Sequence, residues 1–140
     1  MTRVVVDASV AVKWYLEEPQ ATAARRILSG SFSLWVPGLF FAEFGNVLWK
    51  RWRRRELEAR VVVDILEALD VVPIEVRAER PLLARAVEIA MNLGSSVYDG
   101  LYLALAEAVD ARLVTADRAF YRAVAGGPLR ERALWVEDVR

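Results

Sequence analysis

Short β-branched runs alternate with helical segments along this chain, and that alternation is the feature that most constrains its fold. The first run ends in three consecutive valines, Val4 to Val6. A strand that is apolar on both faces is typical of a buried parallel strand. Parallel strands joined by helical crossovers produce a layered α/β structure. We therefore predict one α/β domain over residues 1–140, with a central, mostly parallel sheet flanked by helices.

The same patterns predict the individual elements. The predicted strands are 3–6, 32–36, 71–76, 112–115 and 133–136. The predicted helices are 9–18, 20–28, 38–54, 56–69, 81–92, 99–109 and 118–124. Pro73 restricts the third strand to an edge of the sheet, because proline cannot donate a ladder hydrogen bond. The helix 99–109 is apolar nearly all round, which predicts a position in the centre of the molecule. Gly30 and Gly94 are predicted to end helices.

Four acidic residues stand in strongly apolar stretches: Asp7, Glu43, Asp99 and Asp117. Asp7 directly follows the first strand and Asp117 lies just beyond the fourth, at the carboxyl ends where α/β sheets bind ligands. Asn46 follows Glu43 by one turn on the same helical face. Burying carboxylates without a cation costs free energy, and several together repel one another. If the fold gathers them, a divalent metal ion is the simplest source of positive charge.

The residue types that the sequence lacks narrow the chemistry. It has no His and no Cys, which excludes a Ser-His-Asp triad, a thiolate nucleophile and a conventional zinc site. Lysine occurs only at Lys13 and Lys50, and no glycine-rich phosphate loop is present. Carboxylates, hydroxyls, arginines and a metal remain. Hard oxygen ligands select Mg²⁺ or Mn²⁺.

Several of these residues also have a purely structural interpretation. Asp99 and Asp117 stand where Asp is a favoured helix cap. Ser9 and Thr115 are candidate supporting hydroxyls, or simply residues that cap a helix or close a turn. Glu43 is hardest to explain in this way, because its helical neighbours include no counter-charge.

Basic residues are concentrated after Trp49 in a chain whose net charge is zero. The candidate nucleic-acid-binding residues of this run are Lys50, Arg51, Arg53 and Arg54. Arginines with an interleaved Trp grip phosphates and stack on bases. The alternatives are favourable charge at a helix C-terminus, or a surface that binds another protein. Neither a membrane span nor a signal peptide is indicated, so we expect a cytoplasmic protein.

Four segments together resemble the signature stretches of PIN-domain ribonucleases, and most closely the toxin members of VapBC-type toxin–antitoxin pairs. The segments are Val4-Val5-Val6-Asp7-Ala8-Ser9, Phe41-Ala42-Glu43-Phe44-Gly45-Asn46, Tyr98-Asp99-Gly100-Leu101-Tyr102-Leu103-Ala104 and Leu113-Val114-Thr115-Ala116-Asp117. The resemblance covers essentially the whole chain. Gly100 stands where many relatives carry Ala, a departure that leaves the expected site intact.

The resemblance implies a site and an activity. The acidic metal pocket would consist of Asp7, Glu43, Asp99 and Asp117, supported by Ser9, Asn46 and Thr115. Asp7 and Asp99 would be the firmest ligands of Mg²⁺, for which Mn²⁺ could substitute. A metal-activated water would then cleave an RNA phosphodiester bond.

The resemblance also implies partners: a second copy in a homodimer, and a small antitoxin whose helix lies in an apolar groove. Val12, Trp14 and Tyr15 on the first helix, together with the long helix, are candidates for that groove. Two alternative functions stay open. One is a catalytically silent PIN-like binding or scaffold module. The other is a receiver-like signalling domain, which is disfavoured because no Asp ends the strand 71–76 and no Lys follows Lys50.

Overall fold

The computed structural model describes residues 1–140 and contains five strands and seven α-helices. The strands are β1 (Thr2–Val6), β2 (Phe32–Pro37), β3 (Ile74–Arg77), β4 (Arg112–Thr115) and β5 (Ala133–Trp135). The helices are α1 (Ala8–Ala11), α2 (Ala21–Arg25), α3 (Leu39–Arg53), α4 (Ala59–Asp70), α5 (Leu83–Leu93), α6 (Val97–Ala108) and α7 (Arg118–Ala125). Short 3-10 helices occupy Val12–Trp14, Arg26–Ser29, Arg80–Leu82, Arg130–Arg132 and Val136–Asp138.

The five strands form one sheet in the order β3-β2-β1-β4-β5. Every neighbouring pair is parallel, so the predicted mostly parallel sheet is confirmed and contains no antiparallel strand. The central strand is β1, in which Val5 pairs with Trp35 on one side and Leu113 on the other. Its valines are fully buried, because helices cover both faces of a parallel sheet. The α/β architecture predicted from the alternating pattern is therefore confirmed.

Helix α6 runs through the centre of the molecule, as its apolar sequence predicts. Its residues from Gly100 to Ala106 are all buried. They belong to a single hydrophobic core of 37 buried residues that also contains the inward side chains of the sheet. No helix in the structure has both the length and the apolar character that crossing a membrane requires.

The first helix is shorter than predicted. The sequence predicts a helix over 9–18, but α1 and the 3-10 turn after it end at Trp14. The buried Trp14 ring donates a hydrogen bond from Nε1 to the carbonyl oxygen of Ala24 at 3.0 Å. Arg25 in turn donates from Nε to the carbonyl oxygen of Trp14, also at 3.0 Å. These contacts with α2 satisfy the helix end and turn the chain four residues early.

Proline and glycine set other boundaries. Strand β3 lies at the edge of the sheet, as Pro73 requires, and it begins only at Ile74, after that proline. Gly30 and Gly94 adopt φ angles of 89° and 68° at the ends of their helical segments, which confirms the predicted helix ends.

Candidate active site

The ends of β1 and β4 place two of the acidic residues on the same rim of the sheet. Asp7 follows Val6, and its backbone N–H donates to the carbonyl oxygen of Val114 in the adjacent strand at 3.1 Å. Asp117 stands two residues beyond the end of β4 and begins α7. Because both strands are parallel, their carboxyl ends point the same way. The structure thus brings Asp7 and Asp117 to one edge.

Two hydroxyl groups hold the carboxylate of Asp7. Ser9 Oγ and Thr115 Oγ1 both donate to Asp7 Oδ2 at 2.8 Å. Each hydroxyl also accepts a backbone N–H, Ser9 Oγ from Ala116 at 3.1 Å and Thr115 Oγ1 from Asp117 at 3.0 Å. The orientation of Asp7 is therefore coupled to the loop that carries Asp117. Burial raises the pKa of the Asp7 carboxyl, and the two hydroxyl hydrogen bonds partly oppose that rise.

Glu43 projects from α3 toward α6, where a buried tyrosine meets it. Tyr102 Oη donates to Glu43 Oε1 at 2.6 Å. Burial raises the pKa of Glu43, and the charges of Asp7 and Asp99 raise it further. Burial also raises the pKa of Tyr102, so its hydroxyl stays protonated and acts as a donor. Tyr102 is not among the predicted site residues, although its place one turn after Asp99 on α6 is a usable signal.

Asp99 lies in the first turn of α6 without capping it. The cap is Ser96, whose Oγ accepts the backbone N–H of Asp99 at 3.1 Å. Ser96 is therefore the N-cap and the prediction that Asp99 caps this helix is wrong, although the Asp99 carboxylate accepts hydrogen bonds from Ser96. Burial, followed by the charges of Asp7 and Asp117, raises the pKa of Asp99 to about 6. Asp117 does cap a helix, since its Oδ1 accepts the N–H of Phe120 at 3.1 Å.

The structure brings each of the four carboxylates within electrostatic reach of Asp7 or Asp99. The charge of Asp7 acts on Glu43 and Asp99, and the charge of Asp117 acts on Asp7 and Asp99. None of the seven ion pairs in the protein involves any of these four residues. The cluster therefore carries negative charge that no side chain of the protein neutralises.

Three of the four carboxylates line two clefts, and Asp7 lines neither of them. One has a volume of about 230 Å³ and contains Asp99 and Asp117. The other, about 400 Å³, contains Glu43 and Asn46. No three acidic side chains are arranged tightly enough to hold a metal ion by themselves. The donor set nevertheless fits Mg²⁺, because that ion takes oxygen ligands, retains several waters and needs only one or two carboxylates.

The raised pKa of Asp99 predicts a pH dependence of stability in the metal-free protein. The folded pKa of about 6 exceeds the ordinary value of 3.8. The folded state therefore takes up a proton first as the pH falls, and stability increases between about pH 6 and pH 4. In EDTA we expect the free energy of unfolding to rise by about 2 kcal/mol from pH 7 to pH 4.

Urea denaturation of wild type, Asp99→Asn and the exposed control Asp64→Asn checks this expectation. Asp99→Asn should gain about 2 kcal/mol less than wild type from pH 7 to pH 4, while Asp7 and Glu43, whose pKa values are also raised, keep their contributions. It should be no less stable than wild type at pH 7 in EDTA. A markedly lower stability of Asp99→Asn at pH 7 would show instead that the carboxylate has a structural role.

The basic run forms the end of α3 and the residue after it. Arg51 is engaged within the protein, with Nη2 at 2.8 Å from Glu18 Oε2. Lys50, Arg53 and Arg54 make no ion pair, and the Arg53 guanidinium lies 5.4 Å from the centre of the exposed Trp49 ring. On the sequence alone these residues formed one group, whereas the structure separates Arg51 from the rest.

One face of α3 connects Glu43 with this basic end. Lys50 is seven residues after Glu43, so it lies on the same face about 10 Å further along the helix. Arg54 follows one turn later, at the end of α3. A chain of phosphates that starts at the carboxylates could therefore continue past both cations.

The chain matches known proteins over most of its length. Residues 4–126 match the PIN domain family. Ribonuclease VapC3 of Pyrobaculum aerophilum is 34% identical over 118 residues, which cover 83% of this chain and 90% of that protein. The match to the PIN domain family includes all four acidic residues.

Solved structures share the fold. The crystal structure of PAE2754 from Pyrobaculum aerophilum has a TM-score of 0.68 at 24% identity, covering 97% of this chain and 85% of that one. A chain of a toxin–antitoxin complex from Klebsiella pneumoniae has a TM-score of 0.64 at 12% identity, covering 97% and 99%. Since the family match spans most of the chain and includes its acidic cluster, the protein belongs to the PIN-domain family and is related within it to the VapC ribonucleases.

Proposed function

We propose that this protein is a Mg²⁺-dependent endoribonuclease and the toxin of a toxin–antitoxin pair, with Mn²⁺ able to replace Mg²⁺. One observation carries the proposal: the fold gathers carboxylates from the ends of β1 and β4 and from helices α3 and α6, and none of the four forms an ion pair with a cation of the chain. A 34% identical relative is a ribonuclease. A cluster of this kind attracts a hard cation, and through that cation it can act on a phosphodiester group.

Asp7 and Asp99 would hold the ion directly, and Glu43 and Asp117 would complete its surroundings or act through water. A bound Mg²⁺ would supply Lewis-acid chemistry, stabilising charge on the phosphodiester oxygens and making water more acidic. The protein itself would contribute the orientation of the carboxylates that surround the ion.

Hydrogen bonds hold two of these carboxylates in fixed orientations. Ser9 and Thr115 fix the Asp7 carboxylate from two sides, and Tyr102 fixes Glu43. Side chains that orient metal ligands in this way are themselves worth about 10- to 100-fold in activity or metal affinity. With no His in the chain, none of these groups is an imidazole base. The carboxylates and their hydroxyl partners are the polar groups available for the reaction.

The decisive experiment is metal-dependent cleavage by the purified protein. A single-stranded RNA pool should be cut in the presence of Mg²⁺ or Mn²⁺, left intact in EDTA, and cut again when the metal is restored. Asp99→Asn purified in parallel controls for contaminating nucleases. A wild-type protein that binds RNA and cuts none with either metal would favour the scaffold alternative.

We further propose that Lys50, Arg53 and Arg54 bind RNA phosphates on the path that leads away from Glu43. The double variant Lys50→Ala/Arg54→Ala should bind RNA about 10-fold more weakly at moderate salt. It should also reduce the slope of log K against log salt by about 1.4, since each phosphate contact with a single strand contributes about 0.7.

Arg112→Ala is the matched control for this variant. Arg112 is exposed, makes no ion pair and lies at the amino end of β4, on the rim of the sheet opposite the carboxylates. Filter binding at several salt concentrations measures both slopes. An equal loss of slope in the control and the double variant would contradict a phosphate path along α3.

The toxin proposal includes a small antitoxin protein and a homodimer. Val12 and Trp14, predicted to form part of an antitoxin groove, are buried in the core, so that prediction is wrong for both. An exposed apolar groove of about 280 Å³ lies instead between α3 and α4, where Trp52 and Val63 line it. Copurification with the product of an adjoining short reading frame tests the pairing, and sedimentation equilibrium tests the dimer.

A further inference from the structure

We propose that the 400 Å³ cleft beside Glu43 binds one unpaired nucleobase of the RNA substrate, which stacks on Tyr98 while Asn46 contacts its polar edge. This base-binding cleft rests on the proposed ribonuclease activity and adds a subsite to it. The base belongs to the nucleotide next to the phosphate that is cut.

The shape of the cleft comes from two helices. One wall is a single face of α3, with residues spaced by three or four positions, and the other is the first turn of α6. The lining residues are Leu39, Ala42, Glu43, Asn46 and Tyr98. Apolar side chains make up three of the five, and the polar groups stand on the α3 side. A planar group with one polar edge matches that distribution.

Tyr98 is the exceptional side chain of this cleft. It is 63% exposed, whereas Tyr102 one turn later is 1% exposed. Its hydroxyl makes no hydrogen bond within the protein, and the capped first turn of α6 holds its backbone in place. An exposed aromatic ring on a rigid helix is a stacking surface, and bases of single-stranded RNA stack on such rings with about 1–3 kcal/mol each.

Asn46 supplies the polar contact. It is exposed in the middle of α3, its amide makes no hydrogen bond within the protein, and Asn is a poor helix former. Local stability therefore does not account for an amide at this position. Its carbonyl and NH₂ groups can pair with the edge of a base that is free of Watson–Crick pairing.

Glu43 connects the cleft to the reaction centre. Its side chain lines the cleft together with Tyr98, which directly precedes Asp99 in the first turn of α6. A nucleotide whose phosphate reaches these carboxylates therefore has its base within reach of Tyr98. This continuity favours RNA over a second copy of the chain as the occupant.

Steady-state cleavage of a short oligoribonucleotide that wild type cuts tests the subsite. Tyr98→Ala should raise KM about 10-fold with kcat within twofold, because stacking is lost while the carboxylates stay in place. Tyr98→Phe keeps the ring and should stay within twofold of wild type. Met91→Ala, an exposed apolar residue on α5, is the matched control and should change neither constant. Asn46→Ala should relax the base preference at one position beside the cut.

A second readout does not depend on cleavage. In EDTA, where the proposed cleavage cannot proceed, single-stranded RNA oligonucleotides that carry one 2-aminopurine should lose fluorescence on binding to wild type and Tyr98→Phe, but not to Tyr98→Ala. If wild type cuts no RNA, the proposed function fails, and this quenching still decides whether the cleft binds a base.

Three results would overturn the subsite. The first is equal KM and equal quenching for wild type and Tyr98→Ala. The second is a loss of kcat without a change in KM, which would indicate a displaced Asp99. The third is conversion of a dimer to a monomer by Tyr98→Ala, which would identify the surface as a contact between copies.

Discussion

Asp7→Asn and Asp99→Asn are each expected to lower Mg²⁺-dependent RNA cleavage by about a thousandfold or more while leaving the fold intact. Residues that only orient a metal ligand are worth about 10- to 100-fold, so a direct ligand should be worth more. Both substitutions preserve size and shape. They remove a negative charge from a cluster in which those charges repel one another.

The hydrogen bonds around each residue explain why the fold should persist. Ser9 and Thr115 both donate to the same oxygen of Asp7, so the carbonyl oxygen of Asn can accept both bonds. At Asp99 the capping bond uses the backbone N–H, which the substitution leaves unchanged. We therefore expect both variants to melt no lower than wild type in EDTA.

Cleavage of a fluorescent oligoribonucleotide, with melting followed by circular dichroism, measures both expectations. Asp64→Asn on the exposed face of α4 is the control, and it should cleave like wild type. Ser9→Ala and Thr115→Ala should fall between, with about 10- to 100-fold losses. Full activity of either Asp7→Asn or Asp99→Asn would remove that residue from the proposed metal site.

Gly100→Ala is expected to lower the free energy of unfolding by about 1–3 kcal/mol, the usual cost of forcing an extra methyl into a packed interior. In an open helix the same change would be stabilising by about 1 kcal/mol. Here a Cβ at Gly100 would overlap the carbonyl oxygen of Ala86 and lie 3.2 Å from its Cα. The contacted atoms of α5 are backbone atoms, which cannot rotate aside as a side chain could. The two helices must therefore separate.

Gly45→Ala is the matched control, because Gly45 lies within α3 and a Cβ there would meet nothing within 4 Å. Urea denaturation should show stabilisation by about 1 kcal/mol for Gly45→Ala and destabilisation for Gly100→Ala. Since Gly100 directly follows Asp99, its substitution should also reduce cleavage. Stabilisation by both changes would contradict the close approach of α5 and α6.

Most elements could be predicted from the sequence, because their hydrophobic period and their end signals are local. Strand β4 was predicted with its observed bounds, 112–115, and Gly94 ends α5 as expected. The first helix was not, since its end depends on hydrogen bonds between Trp14 and α2. Hydrogen bonds between separate helices do not appear in the hydrophobic pattern of the sequence.

Some residues of the site could likewise be predicted from local sequence, and others could not. Asp7 and Asp117 could be assigned to one rim from strand ends alone. Glu43 and Asp99 joined them only through the family resemblance, because no spacing rule connects two helices that are not adjacent in sequence. Tyr102 was not predicted to belong to the site, because a tyrosine on an apolar helix resembles an ordinary core residue and only its spacing from Asp99 distinguishes it.

The sequence by itself determined which chemical groups are available. It predicts an α/β sheet with acidic residues after its strands, and it contains no His or Cys that would favour a softer metal ion. Only the tertiary structure decided which groups meet. Tyr102 reaches Glu43 across 59 positions, and Thr115 reaches Asp7 across 108. Strand order and helix packing create both pairs, whereas residue type and local periodicity act over a few positions. The arrangement of the carboxylates is therefore a property of the folded chain.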